Sequence, residues 1–336
     1  MTGRPVVFMV ALLALPLQAR GQQRLPIIDM HLHAYAANEN GPPPLGLCVP
    51  ILPHLAPLDP GREVFRAVAK APPCSHPIWS PLTDQGVMDQ TIAVLERRNI
   101  IGVLSGSPER VRRWFGAAPR RFIPSVEFQL GPDAPSPDSL RRLFKNGPFA
   151  VLGEVSNQYV GIGPDDERME PYWALAEELD IPVAIHMGEG PAGAGYLFPK
   201  YRARLTSPYL LEDVLIRHPR LRVSVMHYGS PLIDEMIAMR GAYPQLYVDL
   251  GGIQWFYPRE YFYQQLRRLI DAGFGKRIMF GSDQMVWPGV IEPAIAIIEE
   301  APFLTHEQKR DIFYNNAARF LRLSEDEISK HHHRSL

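Results

Sequence analysis

The chain has 336 residues, of which 46% are hydrophobic and 21% are charged, and its formal net charge at pH 7 is −1. These values are ordinary for a soluble globular protein, so they exclude an intrinsically disordered chain, a collagen-like repeat and a long coiled coil. The near balance of 35 basic and 36 acidic residues provides no general attraction for the phosphates of nucleic acid, so we expect no nucleic-acid partner.

The N-terminus reads as a secretory signal peptide over residues 1–21. Arg4 gives it a positive start, and an apolar run extends from Val6 to Leu15 before small residues follow. This run is well short of the roughly 20 apolar residues that span a bilayer. We therefore expect a periplasmic or secreted protein with no stable membrane anchor after cleavage. A buried first strand and an uncleaved anchor are the alternatives.

Short apolar segments, each followed by an amphipathic stretch, make up most of the remaining sequence. The predicted strands span 25–31, 99–105, 121–127, 149–155, 181–186, 221–227, 245–250 and 276–283. They are continuous apolar runs, which are typical of strands buried on both faces. The predicted helices span 86–98, 108–116, 138–146, 168–180, 208–218, 231–241, 259–273 and 289–300. Eight strand–helix repeats predict an α/β fold, a (β/α)₈ TIM barrel over residues 25–323.

Two further segments are predicted outside these repeats. Residues 34–85 form a long Pro-rich insert after strand 1, at the end of the barrel where active-site loops lie, so we expect a lid or binding loop. A structural flap is the alternative. In an exported protein Cys48 and Cys74 are expected to form a disulfide, with two free cysteines as the alternative. An extra C-terminal helix over 305–321 is expected to pack on the outside of the barrel, and residues 324–336 to form a polar tail.

Side chains that can bind metals stand at the ends of five of the predicted strands. His31 and His33 end strand 1, and the period of two along a strand places both on one side. The ends of strands 4, 5, 6 and 8 carry Glu154, His186, His227 and Asp283. Burying these polar groups in an apolar barrel mouth costs several kcal/mol unless something satisfies them. A divalent cation does so, since imidazoles and carboxylates are ligands for zinc, manganese and iron.

These residues occur with the runs IPVAIHMG, VMHYGSP, IMFGSDQMVWP and YNNAARFLRL. Together they resemble the amidohydrolase superfamily, and more closely its amidohydrolase-related, family-2 branch of metal-dependent TIM-barrel hydrolases. The resemblance implies that His31, His33 and Asp283 bind the more buried metal ion. When two ions are bound, His186 and His227 would bind the second. Glu154 stands where many members have a bridging carbamylated lysine, so the number of ions stays open.

The resemblance also implies an activity and a cofactor. A metal-activated water would cleave a carboxylic amide, ester or lactone bond, with Asp283 as the general base. His227 or the metal would polarise the substrate carbonyl. The expected cofactor is Zn²⁺, as one or two ions, with Mn²⁺ and Fe²⁺ as alternatives. The same branch contains decarboxylases, which are the second interpretation of the sequence.

Four residues are candidates for contact with a small-molecule substrate: Trp255, Tyr257, Trp287 and Arg202. The aromatic side chains could stack on a ring of the substrate, and Arg202 could hold a carboxylate. For the aromatic side chains the alternative is packing against the insert, and for Arg202 it is a position on the surface. A TatD-like nuclease shares the metal pattern, but the charge balance and the export signal argue against it. A metal-bound binding protein without turnover is the fourth interpretation, and a homo-oligomer is left open.

Overall fold

A computed structural model describes residues 24–55, 64–191 and 193–333, and the predicted signal peptide lies outside these ranges. Within them, eight parallel strands form a sheet in which each strand pairs with the next one along the chain. The strands are β1 (Ile27–His33), β2 (Ile100–Ser105), β3 (Phe122–Phe128), β4 (Val151–Val155), β5 (Val183–His186), β6 (Val223–Met226), β7 (Leu246–Asp249) and β8 (Ile278–Met279). The Met30 N–H donates to the Phe280 carbonyl at 2.9 Å, which brings the first and last strands together. The predicted TIM barrel is therefore confirmed, with the barrel nearly closed.

A helix follows each strand. The eight are α1 (Asp84–Arg98), α2 (Pro108–Ala117), α3 (Pro137–Asn146), α4 (Glu170–Glu178), α5 (Glu212–Arg217), α6 (Ile233–Ala242), α7 (Arg259–Leu269) and α8 (Ile291–Glu299). Serine hydroxyls begin two of them, because Ser107 accepts from the N–H of Arg110 and Ser136 from that of Ser139. Short helical segments in the connections are Asn157–Val160, Glu167–Met169, Ala194–Leu197, Ala203–Thr206, Pro208–Leu211, His227–Gly229, Ile253–Phe256, Ile270–Phe274, Gly275–Arg277 and Pro288–Val290. In the described ranges, no helix has both the length and the apolar character of a membrane span.

The connection between β1 and α1 lies beside the C-terminal end of the barrel. It contains the helices Leu52–Leu55 and Val64–Lys70 and an antiparallel pair of two-residue strands, Gly46–Leu47 and Ile78–Trp79. Cys48 and Cys74 form the expected disulfide. Because the first residues of this connection follow His33 directly, they contribute to the walls of the cavity described below.

The C-terminal helical segments close the bottom of the barrel instead of packing on its outside, which corrects the expectation from the sequence. They span His306–Arg310, Asp311–Asn315 and Asn316–Leu321. Tyr314 and Phe320 pack against interior side chains from six strands, namely Ile28, Met30, Val103, Val151, Ala184, Met226 and Met279. The physical reason is burial, since the open lower end of the barrel would otherwise expose apolar surface worth about 25 cal/mol per Å².

The segment after these helices, predicted as a polar tail, forms a further helix over Glu325–His332. Ser324 and Glu327 start it with a capping box, in which each side chain accepts a hydrogen bond from the other residue's backbone N–H. His331 is buried and forms a 3.0 Å hydrogen bond with the Tyr314 hydroxyl. The capping box and the hydrogen bond to Tyr314 stabilise this helix, whereas the polar composition of the segment alone predicts a solvated terminus.

Register shifts occur in the two strands that carry the candidate ligands His31, His33 and Glu154. Strand β1 has one extra residue relative to β2 between Asp29 and Leu32, and β4 is irregular relative to β5 between Leu152 and Val155. In β1 this bulge allows Met30 to join the interior core below while both histidines face the upper end. Bulges that redirect side chains are common beside active sites.

Candidate metal centre

The six predicted metal-binding side chains converge at the C-terminal end of the barrel. All are buried, with exposed fractions between 1% for His31 and 8% for Asp283. Their donor atoms form three overlapping trios, within each of which every pair of atoms lies within 4.8 Å. The trios are His31, His33 and Glu154; Glu154, His186 and His227; and His31, His227 and Asp283. Glu154 therefore joins the ligands of β1 to those of β5 and β6.

Two carboxylates face the histidines of β1. Glu154 Oε2 lies 3.4 Å from His33 Nε2 and 3.7 Å from His31 Nε2. Asp283 Oδ1 lies 3.1 Å and 3.6 Å from the same two nitrogens. The four side chains thus place two negative charges and two imidazole nitrogens around one point, which is a suitable donor set for a divalent cation.

The electrostatics of the cluster follow from this arrangement. Burial lowers the pKa of His31 and His33, but the neighbouring carboxylates outweigh burial and raise both pKa values. Burial raises the pKa of Glu154 and Asp283, but the imidazoles outweigh it and lower both pKa values. Both carboxylates are therefore ionised, and their negative charge favours a positive partner in the cluster, which a bound cation would supply.

Hydrogen bonds at Nδ1 fix the orientation of three imidazoles. The acceptors, at 2.7–3.2 Å, are Asp249 Oδ1 for His31, Gln158 Oε1 for His186 and the Gly251 carbonyl for His227. When neutral, each ring then carries its lone pair on Nε2. His31 Nε2 is buried and, among the described residues, has no hydrogen-bond partner. Such an orphaned nitrogen beside two carboxylates fits a metal ligand held by its outer hydrogen bond.

Sequence reasoning missed Asp249, the last residue of β7. Besides His31 Nδ1, its Oδ1 accepts hydrogen bonds from the backbone N–H of Gly251 at 2.8 Å and of His227 at 3.3 Å. A Cβ on Gly251 would lie 2.3 Å from His31 Nδ1, so only glycine leaves room for the ring. The signal was present, since LYVDL ends a predicted strand with an acid at the same level as the ligands.

Two of the six side chains stand on left-handed backbone. The φ angle is 58° at His227 and 51° at Asp283, which follow the ends of β6 and β8. Non-glycine residues rarely adopt these angles, and such strain persists where the surrounding structure fixes it, which is commonly at functional sites. Two members of the cluster thus belong to the small set of non-glycine residues with positive φ.

A cavity of about 650 Å³ opens above the cluster. Aromatic side chains line much of it, namely Tyr35, Tyr159, Tyr196, Phe198, Trp255 and Phe256. Five acids also line it: Glu39, Glu127, Glu154, Glu189 and Asp283. Over residues 24–55, 64–191 and 193–333, neither a lysine nor an arginine contributes to this wall. The volume is suitable for a small molecule.

The aromatic residues predicted to contact substrate have different positions. Trp255 is largely buried, lines the cavity and donates from Nε1 to the Ser282 carbonyl at 2.7 Å. Tyr257 is not one of the lining residues, but its hydroxyl donates a hydrogen bond to Glu189, which is. Trp287 is fully buried and donates from Nε1 to the Leu45 carbonyl at 2.8 Å. Trp287 thus contacts the β1–α1 connection and is not part of the cavity wall.

The fourth predicted contact, Arg202, is exposed and lies outside the cavity wall. Its guanidinium donates hydrogen bonds to the backbone carbonyls of Pro199 and Tyr201, at 3.0 and 2.7 Å. These bonds hold the side chain on its own loop. The structure therefore does not bring Arg202 to a position where it could hold a substrate carboxylate.

Two further cavity residues escaped the sequence analysis. The Tyr159 hydroxyl lies 3.1 Å from His186 Nε2, and burial raises its pKa well above the usual value, so it remains a hydrogen-bond donor. Glu127 is half-buried near the end of β3, and burial raises its pKa to about 7. The run FIPSVEF places this acid at the end of a predicted strand, which was a usable signal. Tyr159 follows β4 in a short helical turn and gave no comparable signal.

The fold is shared with enzymes of several activities. An uncharacterized TIM-barrel protein from Bordetella bronchiseptica has 18% identity and a TM-score of 0.60, covering 91% of this chain and 100% of that one. A dihydroxybenzoic acid decarboxylase from Polaromonas sp. JS666, with bound manganese and the inhibitor 2-nitroresorcinol, has 16% identity and a TM-score of 0.51, covering 71% and 87%. A probable 2-pyrone-4,6-dicarboxylic acid hydrolase from Acinetobacter baumannii, with citric acid bound, has 15% identity and a TM-score of 0.54, covering 88% and 99%.

At these identities the similarity concerns the fold. Among curated proteins, none matches the sequence. The sequence itself matches the family model described as Amidohydrolase over residues 28–323, which includes all eight strands except the first residue of β1, and all six side chains of the cluster. With this match, the chain belongs to the amidohydrolase family.

Proposed function

We propose that this protein is a metal-dependent hydrolase that cleaves a carboxylic amide, ester or lactone bond in a small molecule. The observation that carries the proposal is the buried cluster of four imidazoles and two carboxylates at the floor of the cavity. We propose zinc, as one or two ions, because imidazole and carboxylate donors suit it. Manganese, which a neighbour with the same fold binds, and iron are the alternatives.

The cation, when bound, would lower the pKa of a water molecule and polarise a carbonyl oxygen. Asp283 lines the cavity and belongs to the cluster. In this proposal its carboxylate would accept a proton from the attacking water and pass it to the leaving group. The Tyr159 hydroxyl lies 3.1 Å from His186 Nε2. If His186 holds the cation through that nitrogen, the hydroxyl would be free to donate a hydrogen bond to the carbonyl oxygen as negative charge develops there. The Nδ1 atom of His227 is hydrogen-bonded to the Gly251 carbonyl, which leaves its Nε2 atom available at the floor of the cavity.

A decarboxylase is the second candidate, because a decarboxylase and a hydrolase both share the fold. The charges of the cavity favour the hydrolase. A decarboxylase must admit a carboxylate, and here acids line the wall while, in the described part of the chain, no lysine or arginine does. Placing an anion among like charges costs free energy unless the metal alone compensates for it.

The Cys48–Cys74 disulfide supports our proposal that the protein is exported. Disulfides persist in the periplasm and outside the cell, whereas the cytosol keeps thiols reduced. The predicted signal peptide would provide the route.

A chelator-controlled substrate panel tests the hydrolase proposal. We expect p-nitrophenyl esters, lactones or N-acyl amines to be cleaved by the purified protein, cleavage to stop after metal removal, and zinc or manganese to restore it. Asp283→Asn protein, assayed in parallel, corrects for spontaneous ester hydrolysis. Cleavage that continues at the same rate after chelator treatment would contradict the proposal. If the only reaction is release of carbon dioxide from aromatic carboxylates, the protein is a decarboxylase instead.

A further inference from the structure

We propose that the cavity selects substrates whose non-reacting part carries a protonated amine, and that the Glu127 carboxylate binds this amine. The inference rests on the proposed function, because it names the class of amide, ester or lactone that would be cleaved. Three features of the cavity support it: the balance of its charges, the position of Glu127, and the acceptors and aromatic rings of its other walls.

The charges of the wall are not balanced. Of the five acids, Glu154 and Asp283 face the imidazoles of the cluster, and Glu39 forms a 2.9 Å ion pair with Arg110. Glu127 and Glu189 remain. Histidines of the cluster share the wall with them, but in the part of the chain that the structure describes no lysine or arginine does. The region beside the cluster therefore attracts cations and repels anions.

Glu127 occupies a fixed position one strand away from the cluster. Its backbone N–H donates to the Gly106 carbonyl at 3.2 Å, and the following residue, Phe128, pairs with Val155 of β4. This register places Glu127 level with Glu154 on the neighbouring strand, with the strands about 5 Å apart. A small molecule bound at Glu127 would therefore reach the metal centre with its carbonyl group.

The carboxylate of Glu127 lacks a partner at hydrogen-bond distance, although the charges of His33 and Arg110 favour its ionised form. Within the described residues it makes neither a hydrogen bond nor an ion pair, although the side chain is half-buried. Partly burying an unpaired carboxylate is costly, and an ammonium group of a ligand would offset this cost with charge-assisted hydrogen bonds. No step of the proposed hydrolysis uses this side chain, so substrate recognition is the role that remains for it.

Other parts of the cavity wall offer a second acceptor and aromatic rings. Glu189 accepts a hydrogen bond from Tyr257 through Oε1, while its Oε2 is buried and has no partner among the described residues. Tyr159 and Phe198 pack edge to face with ring centroids 4.9 Å apart, and both line the cavity. Aromatic faces attract ammonium groups. The wall is thus suited to hydrogen-bond donors and cations.

Binding of two matched probes to the full chain, loaded with zinc, tests the inference independently of turnover. The probes are 2-phenylethylamine and 2-phenylethanol, which differ in the ammonium group, titrated calorimetrically at about pH 8.5, above the raised pKa of Glu127. We expect the amine to bind about tenfold more tightly than the alcohol. Glu127→Gln should bring the two dissociation constants within about twofold, whereas Glu96→Gln, which removes the same charge from the exposed surface of α1, should preserve the difference.

Equal binding of amine and alcohol to the wild-type chain would overturn the inference, and this comparison does not depend on the folding of any variant. A preference for the amine that survives in Glu127→Gln would also overturn it, because recognition would then lie elsewhere. Failure of the hydrolase proposal has a different signature: the amine would bind through Glu127, but no compound of the substrate panel would be cleaved in a chelator-sensitive way.

Discussion

Replacing Asp283 with asparagine is expected to reduce kcat/KM for a hydrolysed substrate on the order of a thousandfold while leaving the fold intact. Asparagine cannot accept a proton from water, and it removes the charge that now lies 3.1 Å from His33 Nε2. The fold should persist because asparagine tolerates left-handed backbone well, and Asp283 has a φ of 51°. The variant therefore keeps the fold while it removes the carboxylate that is both the proposed base and a proposed metal ligand.

Asp180→Asn is the matched control for this prediction. Asp180 has a φ of 53°, so the exchange is the same at nearly the same backbone angle, but the side chain is exposed before β5 at the opposite end of the barrel. Steady-state kinetics and thermal unfolding of both variants provide the comparison. Turnover by Asp283→Asn within a few-fold of that by Asp180→Asn would show that Asp283 is not the general base.

Replacing Glu154 with glutamine is expected to weaken metal binding by about a hundredfold or more, since exchanges of supporting residues alone cost 10- to 100-fold. Glu154 belongs to two of the three trios and faces both His31 and His33. Glutamine keeps the size of the side chain but removes the negative charge that neutralises a cation. Competition titration of zinc against a chromophoric chelator measures the change in dissociation constant.

Glu39→Gln controls for the loss of one charge in the same cavity. Glu39 lines the cavity, but its carboxylate is paired with Arg110 and is exposed, so we expect its exchange to change zinc affinity by less than about threefold. Similar weakening by both substitutions would mean that the net charge of the cavity, and not ligation by Glu154, controls metal binding.

The architecture of the barrel and the composition of the cluster were predictable from the sequence. Continuous apolar runs marked the strands, and metal-binding residue types recurred where those runs ended, as at His186 and His227. Parallel strands of a barrel bring their C-terminal ends together, so a linear pattern became a three-dimensional expectation. The structure places all six side chains together, as the pattern indicated.

The surroundings of the cluster were less predictable, because they depend on how loops fold. Trp287 follows a strand end, as the ligands do, yet its indole turns into the core towards Leu45. Asp249 supports His31 through a hydrogen bond across 218 positions of sequence, which no local pattern reveals. The position of the C-terminal helices was not predictable, because an apolar helix face does not reveal which apolar surface it will cover. In the structure, Tyr314 and Phe320 cover the lower end of the barrel.

The central claim is that side chains from five strands hold a cation at the upper end of the barrel. Anomalous diffraction from crystals of the wild-type chain grown with zinc tests it most directly. We expect a strong anomalous peak about 2.0–2.1 Å from His31 Nε2, within the space enclosed by His33, Glu154 and Asp283. A map with no peak inside the cluster, at zinc concentrations that populate other sites on the protein, would contradict it.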